Sequence, residues 1–384
     1  MLNTTGNDHY LLTPGPLTTS LETKKAMLRD WGSRDEQFIS LTRKICRRLV
    51  DLVDGLGTHA CVPVQGSGTF AVEAALGTLI GPSDKALLLV NGTYGRRMAQ
   101  ILDIIGRDHI ILETPENVPC NVALLEQTLS QDPDITHVAV VHCETTSGIV
   151  NPIEDISAVV QEYGRRLLID AMSAFGALAL STHNVCFDAV MASSNKCLEG
   201  VPGFGFVIAK ETSLHEAEGN AHSLSLDLYA QWQGFNKNGQ WRFTPPTHVC
   251  AAFAQALREY DAEGGLVARH QRYEKNCRTL VDGMEQMGFV PFLDRAVQAP
   301  IIVTFHSPAD PKFDFDSFFQ YLAERHYVIY PGKLTTTASF RIGCIGQVYE
   351  EHIKGALAAI RDYLSIAGVT DCRPVTPPRK DATS

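Results

Sequence analysis

Short apolar runs alternate with helical stretches from about residue 60 to residue 210, and this alternation constrains the fold more than any other feature of the 384-residue chain. Strands that alternate with helices in this way are typical of a parallel α/β sheet. We therefore predict an α/β fold whose large domain carries a mostly parallel, seven-stranded sheet. The predicted strands cover residues 60–65, 85–90, 108–112, 136–142, 166–170, 187–193 and 203–209.

The pattern changes after residue 210, which predicts a smaller C-terminal α+β domain. The chain from 211 to 248 has an irregular, aromatic pattern, and a helix over 247–261 is predicted to bridge to that domain. Within the small domain we expect strands at 299–305 and 339–343 and helices at 313–325 and 349–364.

These patterns divide the chain into four predicted parts. They are an N-terminal arm at 1–20, a large domain at 21–255, a small domain at 256–368 and a disordered tail at 369–384.

Two chemically active side chains follow neighbouring predicted strands. Asp170 closes the strand at 166–170, and Lys196 follows the strand at 187–193. The carboxyl ends of parallel strands share the sheet edge at which such sheets bind ligands. A lysine amine and a carboxylate in one pocket suit pyridoxal phosphate (PLP), because the amine condenses with its aldehyde and the carboxylate keeps its ring nitrogen protonated. Taken alone, such residues are more often a solvated lysine and a helix cap.

A turn rich in glycine and hydroxyl groups joins the first predicted strand to a helix. The turn is Gly66-Ser67-Gly68-Thr69, and its backbone N–H groups, hydroxyls and helix end suit a phosphate. An alternative comes from Gly66, Gly68 and Ala71, which match the dinucleotide pattern G-x-G-x-x-A and would indicate an NAD-dependent oxidoreductase. The next strand ends in Asn91 where a ribose-binding acid is expected, and this weakens the alternative.

Polar or aromatic residues also follow two further strands. Tyr94 follows the strand at 85–90, where its ring could stack on a planar cofactor, although plain packing is the commoner role. The polar run His142-Cys143-Glu144-Thr145-Thr146-Ser147-Gly148 ends the strand at 136–142, where a simple turn is the ordinary interpretation. All these residues are predicted to lie at the same sheet edge.

Composition excludes several classes of partner. A net charge of −10 argues against a nucleic-acid or anionic-membrane partner. The ten cysteines include no C-x-x-C pair, so we expect neither a disulfide framework nor a metal site, and a reducing, cytoplasmic location follows. The first ten residues lack the apolar region of a signal peptide.

Several short strings occur together in one enzyme family. They are Gln65-Gly66-Ser67-Gly68, Glu144-Thr145-Thr146-Ser147-Gly148, Asp170-Ala171-Met172-Ser173, Asn195-Lys196-Cys197, Trp241-Arg242-Phe243-Thr244 and Phe340-Arg341-Ile342-Gly343. In these strings the chain resembles the class V aminotransferases, which belong to the fold-type-I PLP enzymes. The resemblance extends from Leu11 to about residue 364 and so covers nearly the whole chain.

The resemblance implies how PLP is bound. Lys196 matches the lysine that carries the cofactor and moves a proton, and Asp170 matches the partner of the ring nitrogen. The remaining matches are Ser67, Gly68 and Thr69 for the phosphate, Tyr94 for stacking on the ring, and Thr145 near the phenolic oxygen.

The resemblance also implies contributions from outside the large domain. The N-terminal arm is expected to contribute to the active site, and Arg341 to bind the acidic group of the substrate. Thr244 matches a threonine that reaches the cofactor phosphate of the neighbouring subunit, which implies a homodimer with shared active sites.

The expected reaction is transamination between 2-aminoethylphosphonate and pyruvate, which gives phosphonoacetaldehyde and L-alanine. The strings at 223–228 and 330–333 favour this substrate by resemblance, but no physical role follows for Lys333 or for the segment Ser223–Asp227. Two alternatives are a serine/alanine–glyoxylate-type aminotransferase and a PLP-fold protein without catalytic activity. The presence of both Lys196 and Asp170 disfavours the second.

Overall fold

The structure, a computed structural model, describes residues 9–335 and 337–375. The start of the predicted arm and residues 376–384 of the predicted disordered tail lie outside this range. The strands are β1 (Tyr10–Leu11), β2 (His59–Gly66), β3 (Lys85–Val90), β4 (Asp108–Glu113), β5 (Ile135–Val141), β6 (Cys143–Glu144), β7 (Ile149–Val150), β8 (Arg166–Asp170), β9 (Ala189–Ser193), β10 (Gly203–Lys210), β11 (Ile302–His306), β12 (Tyr327–Val328), β13 (Tyr330–Pro331) and β14 (Ser339–Gly343). The α-helices are α1 (Leu21–Lys25), α2 (Glu36–Asp51), α3 (Gly68–Leu79), α4 (Thr93–Ile105), α5 (Val122–Gln131), α6 (Ile153–Glu162), α7 (Glu211–Glu216), α8 (Leu228–Asn238), α9 (Thr247–Glu263), α10 (Gly265–Gln286), α11 (Phe315–Glu324) and α12 (Glu350–Ala367).

The seven strands predicted between residues 60 and 210 form one sheet with the order β2-β10-β9-β8-β5-β3-β4. Only β10 runs antiparallel to its neighbours β2 and β9, and the other pairs are parallel. The prediction of a mostly parallel, seven-stranded sheet is therefore confirmed.

The strands read as continuous apolar runs because helices cover both faces of the sheet. In β3, Leu87 and Leu89 pack into one hydrophobic cluster, while Ala86 and Leu88 pack into the cluster on the opposite face. Alternating side chains of a strand point to opposite faces, so each strand contributes to both layers of the core.

The strand register brings the predicted site residues to one edge. Val141 lies opposite Asp170 in the β5–β8 pair, and Asp170 lies opposite Met191 in the β8–β9 pair. Gly66 at the end of β2 pairs with Gly203 at the start of the antiparallel β10. The loops that follow these strands and carry predicted site residues therefore leave the sheet on the same side.

A second, antiparallel sheet has the order β11-β14-β13 and contributes to a separate hydrophobic cluster with α10, α11 and α12. This confirms the smaller C-terminal α+β part of the fold. The short strand β1 pairs with β12, so the start of the described chain is tied to this second part. The predicted boundary at 255/256 falls inside the continuous helix α9, and the division into four parts stays a prediction.

The prediction of an irregular segment over 211–248 is wrong, because α7 and α8 lie within it. The side chain of Asp227 caps α8 by accepting a hydrogen bond from the backbone of Ala230 at 2.9 Å. Leu228, Trp232 and Phe235 have the i, i+4, i+7 spacing of one helix face, and this signal was hidden by the high aromatic content. None of the helices in the described ranges has the length and apolar character needed to cross a bilayer.

Candidate active site

Two adjoining cavities lie at the carboxyl edge of the large sheet. The first, of about 440 Å³, we name the lysine cavity, and its lining includes Ser67, Gly68, Thr69, Tyr94, Thr145, Asp170 and Lys196. The second, of about 450 Å³, we name the arginine cavity, and Arg341 lines it. Gly15 and Tyr94 line both cavities. The structure thus brings together every predicted site residue except Thr244, which lines neither cavity.

Lys196 lies in the turn after β9, and its amine points into the lysine cavity. Nζ donates a hydrogen bond to the backbone oxygen of Pro14 at 2.6 Å. The pKa of this amine is lowered to about 8, mainly by burial; the positive charges of Arg341 and Lys333 act in the same direction, whereas Cys197 and Asp170 act against it. A lysine with a lowered pKa is available as a neutral nucleophile and base near neutral pH.

The neighbouring Gly15 permits this approach of the arm. Its φ is +115°, and a Cβ atom there would lie 2.7 Å from Cδ of Lys196. Only glycine adopts this conformation without strain, and only glycine leaves room for the lysine chain.

Asp170 is the last residue of β8, and the residue is 4% exposed. Burial raises its pKa to about 6, although Arg97 and Lys196 act in the opposite direction. The carboxylate accepts one hydrogen bond, from the backbone N–H of Met172 to Oδ1 at 2.9 Å, and the described residues provide no other. A cationic N–H donor in the cavity would supply the partner that this buried carboxylate lacks.

The turn from Gly66 to Thr69 opens α3 towards the lysine cavity. Ser67 occupies the N-cap position, but its hydroxyl makes no capping hydrogen bond, so the N–H groups of Gly68 and Thr69 stay available, whereas that of Phe70 donates to Ser67 O. A Cβ atom on Gly68 would lie 2.3 Å from the sulfur of Met172, so a side chain there would collide with the cavity wall. Free N–H groups, a free hydroxyl and the positive helix end fit a phosphate group.

Two of the polar residues that line the lysine cavity and that sequence reasoning did not assign to the site are Ser173 and Arg97. The hydroxyl of Ser173 lies 2.6 Å from that of Thr145, so the two share a hydrogen bond. Arg97 donates to Thr69 Oγ1 at 3.2 Å, and its guanidinium carbon lies 4.8 Å from the centre of the Tyr94 ring. Arg97 follows Tyr94 by three residues on α4, and this spacing could have revealed it.

The lysine cavity therefore fits PLP on its own chemistry. Lys196 supplies the amine, Asp170 lacks a cationic partner, and the Ser67 turn offers donors to a phosphate. The ring of Tyr94 provides an aromatic surface between these groups.

Arg341 is a buried cation, with 2% of its surface exposed. Its Nε donates to Pro331 O at 3.1 Å, and its Nη1 donates to Thr145 O at 3.1 Å. Burial lowers the pKa of the guanidinium group, and no carboxylate of the described residues forms an ion pair with it. A buried guanidinium held only by neutral acceptors is suited to an anionic ligand.

Thr244 lies in the irregular chain between α8 and α9 and is exposed in the single chain. Its neighbour Phe243 is 47% exposed, so this stretch is not buried by its own chain. Phe243 and Phe70 line a groove of about 450 Å³ that also includes Gly66.

A buried hydrogen-bond network lies on the side of the Lys196 turn that faces away from the cavities, and it fixes the turn. Sequence reasoning missed this network. Glu199 has φ +57° and is 3% exposed. Its carboxylate accepts hydrogen bonds from Tyr273 at 2.6 Å, Arg272 at 2.7 Å and Gln347 at 2.6 Å. Arg269 and Tyr273 both donate to the backbone oxygen of Cys197, the residue after Lys196. No local pattern could have shown this network, because its members come from distant parts of the chain.

The sheet, the lysine and carboxylate at its edge, and the phosphate-type turn define a fold-type-I PLP transferase. The sequence profile of the aminotransferase class-V family matches residues 24–341. The chain belongs to this family of class V aminotransferases. This membership is inconsistent with the NAD-dependent alternative, and the cofactor that the family implies is PLP.

Relatives and solved structures agree with this assignment. The chain is 52% identical over 365 residues to a 2-aminoethylphosphonate–pyruvate transaminase of Pseudomonas putida KT2440, which covers 95% of this chain and 99% of the relative. A protein of the same name from Pseudomonas aeruginosa PAO1 is 53% identical over 354 residues, covering 92% and 95%. The crystal structure of pyridoxamine–pyruvate aminotransferase from Mesorhizobium loti aligns with a TM-score of 0.86 at 25% identity, covering 94% and 93%.

Proposed function

We propose that this chain is a PLP-dependent transaminase that transfers the amino group of 2-aminoethylphosphonate to pyruvate. The products are phosphonoacetaldehyde and L-alanine. The observation that carries the proposal is the position of an unpaired, buried Arg341 in a cavity that adjoins the Lys196 amine. Both substrates carry an anion close to their reacting carbon, and the relatives named for this reaction match nearly the whole chain.

The lysine cavity would hold the cofactor through residues with separate tasks. Lys196 would bind it covalently, Ser67, Gly68 and Thr69 would bind its phosphate, and Asp170 would face its ring nitrogen. Tyr94 would stack on the ring, and Thr145 would lie near the phenolic oxygen. When bound, PLP supplies an electron sink for the negative charge that develops on the substrate carbon.

Lys196 acts as the general base and acid in this proposal. Its pKa of about 8 lets the amine take a proton from the substrate carbon and return it near neutral pH. Nζ donates a hydrogen bond to the backbone oxygen of Pro14, which lines the arginine cavity, and this supports the proposal that the N-terminal arm contributes to the active site.

Arg341 orients both substrates, since the phosphonate of one and the carboxylate of the other would occupy the arginine cavity in turn. Its guanidinium group is already fixed by Pro331 O and Thr145 O, so binding requires little reorganisation. The same anion contact places the reacting carbon towards Lys196.

The active unit in this proposal is a homodimer with shared sites. Thr244 is exposed and lines neither cavity of its own chain, which suits a residue that reaches the cofactor phosphate of a partner. The exposed rings of Phe70 and Phe243 beside the groove at Gly66 supply apolar surface for such an interface. The ten cysteines are all unpaired, which supports a cytoplasmic location.

A donor screen with the PLP-loaded enzyme tests the reaction. With pyruvate as acceptor and alanine formation as the readout, 2-aminoethylphosphonate should exceed serine and 2-aminoethanol in kcat/KM. The last compound lacks the anion and serves as the matched control for the Arg341 contact. A higher value for serine, or efficient transfer from alanine to glyoxylate, would favour the serine/alanine-type alternative and contradict the phosphonate assignment.

Subunit mixing tests the shared sites. Chains with Lys196→Ala and chains with Thr244→Val are each expected to be impaired as homodimers. If Thr244 acts across the interface, a hybrid dimer contains one site with both native residues and regains activity. Hybrids that exchange subunits but stay inactive would show that each site is built within one chain.

A further inference from the structure

A second cation, Lys333, lines the arginine cavity, and the proposed mechanism assigns no role to it. Lys333 lies in the loop after β13, and its Nζ is 5.3 Å from the centre of the Tyr94 ring. Lys196 and Lys333 line adjoining cavities, which share Gly15 and Tyr94 as lining residues. Among the described residues, no carboxylate pairs with Lys333 or with Arg341.

Backbone contacts anchor the loop that carries Lys333. Tyr330 in β13 pairs with Arg341 in β14, so Arg341 and the loop that carries Lys333 belong to one hairpin. The backbone N–H of Gly332 donates to Ser339 O at 2.9 Å, and a Cβ atom on Gly332 would lie 2.4 Å from that same oxygen. A larger residue at 332 would therefore push the Lys333 loop away from β14.

A buried carboxylate fixes the far side of the same loop. Glu116 is 6% exposed, and its Oε2 accepts a hydrogen bond from the backbone N–H of Thr335 at 3.1 Å. Glu116 is thus engaged by the loop backbone and by Arg96, and it does not pair with Lys333. The backbone of the loop is thus anchored, and the Lys333 ammonium group lies over the Tyr94 ring.

The two proposed substrates differ in the anion that they bring to this cavity. A phosphonate, like a phosphate monoester, has three acceptor oxygens and carries more than one negative charge near neutral pH, whereas a carboxylate carries one charge on two oxygens. One guanidinium group matches a carboxylate in charge and in its pair of donors. A second cation is needed only for the second charge of a phosphonate.

We infer that Lys333 is a specificity-determining residue that, together with Arg341, forms a subsite for a dianionic phosphonate. Arg341 binds the anion of both substrates, and Lys333 adds an ionic contact that the phosphonate uses and the carboxylate does not. The inference rests on the proposed function, because it assigns the two anions of that reaction to different sets of charges.

Steady-state kinetics of the PLP-loaded enzyme separate the two anions. In a ping-pong reaction, kcat/KM for the donor reports the first half-reaction and kcat/KM for pyruvate reports the second. Lys333→Gln should lower kcat/KM for 2-aminoethylphosphonate about tenfold and change that for pyruvate less than about twofold, since one charge-assisted contact is lost. Lys333→Arg should retain most of the activity. Lys312→Gln, which removes an exposed lysine outside both cavities, should change neither value.

Inhibition by unreactive anions supplies a second readout. Ethylphosphonate and propionate lack an amine, and Lys333→Gln should weaken inhibition by ethylphosphonate much more than inhibition by propionate. Equal losses for both anions and both substrates, or no loss for either, would overturn the inference. Failure of the wild-type enzyme to use 2-aminoethylphosphonate would instead overturn the proposed function, while selective weakening of ethylphosphonate would still establish the subsite.

Discussion

The two sides of the Lys196 turn carry similar numbers of charged groups, but the groups form ion pairs on one side and not on the other. The front cluster, facing the cavities, consists of Asp170, Lys196, Lys333 and Arg341. The rear cluster, packed behind the turn, consists of Glu199, Glu263, Arg269, Arg272 and Tyr273. In the rear cluster the two glutamates and two arginines form ion pairs at 2.7 to 3.6 Å. In the front cluster the described residues form no ion pair at all.

The pKa values show the same difference. Burial favours the neutral forms in both clusters, but in the rear the neighbouring arginines outweigh it and lower the pKa of Glu263. Glu199 and Glu263 likewise raise the pKa of Arg269 and Arg272 above that of a free guanidinium group. In the front cluster the effect of burial prevails, so the pKa of Asp170 is raised to about 6 and the pKa of Lys196 is lowered to about 8. The ion pairs of the rear cluster thus stabilise the turn, whereas the front cluster has charged groups that are available to a ligand.

The largest expected effect comes from replacing Lys196 in the front cluster. Lys196→Ala should lower the transamination rate at least about a thousandfold, because the proposed general base and the proposed point of attachment of the cofactor are both lost. The variant should still bind PLP through the phosphate turn, and absorbance of the dialysed protein measures this. Substantial turnover in this variant would show that another residue carries the proton.

Substitutions in the rear cluster should lower the stability of the protein more than they change its reaction chemistry. Glu199→Gln keeps the shape of the side chain but leaves Arg269 and Arg272 with one carboxylate fewer, so the unfolding free energy should fall by about 3 kcal/mol. Denaturant titration measures this change. Asp261→Asn removes a partner of Arg48 from an exposed pair and serves as a control, with an expected loss below about 1 kcal/mol. Equal losses would remove the distinction between the clusters.

Asp170→Asn should lower the rate about a hundredfold, since a neutral amide cannot stabilise a protonated ring nitrogen. Single-turnover kinetics with 2-aminoethylphosphonate measure the rate, and PLP titration of the cofactor-free protein measures affinity. A near-normal rate combined with weak cofactor binding would contradict the assigned electronic role.

The smallest of these effects is a pH dependence of the cofactor-free protein. The folded-state pKa of Lys196, about 8, lies below its ordinary value of 10.5, so the unfolded chain binds more protons between these two pH values. Stability attributable to this residue must therefore rise with pH across that interval. From pH 8 to pH 9.5, the wild-type protein should gain about 1.5 kcal/mol relative to Lys196→Met. Parallel stability curves would show that the amine is hydrated rather than buried.

Local patterns were enough to predict the sheet and the front residues of the large domain. Strands and turns are short-range features, and the parallel register necessarily brings Asp170 and Lys196 to one edge. Arg341 could be assigned only by resemblance, because no local pattern distinguishes it from a surface arginine. The pairing of Glu199 with Arg272 could not be predicted, since 73 residues separate them and no periodicity relates them.

The hydrogen bond between Lys196 and Pro14 has a consequence for the order of folding. It joins residues 182 positions apart, and the contact of Arg341 with Thr145 joins residues 196 apart. Contacts of such long sequence separation form late, because a large loop must close before any stabilisation is gained. During synthesis the sheet can assemble as soon as β10 has emerged from the ribosome, but the arginine cavity cannot close until β14 has followed. We therefore expect the core to form first and the arginine cavity, the proposed substrate site, to form last.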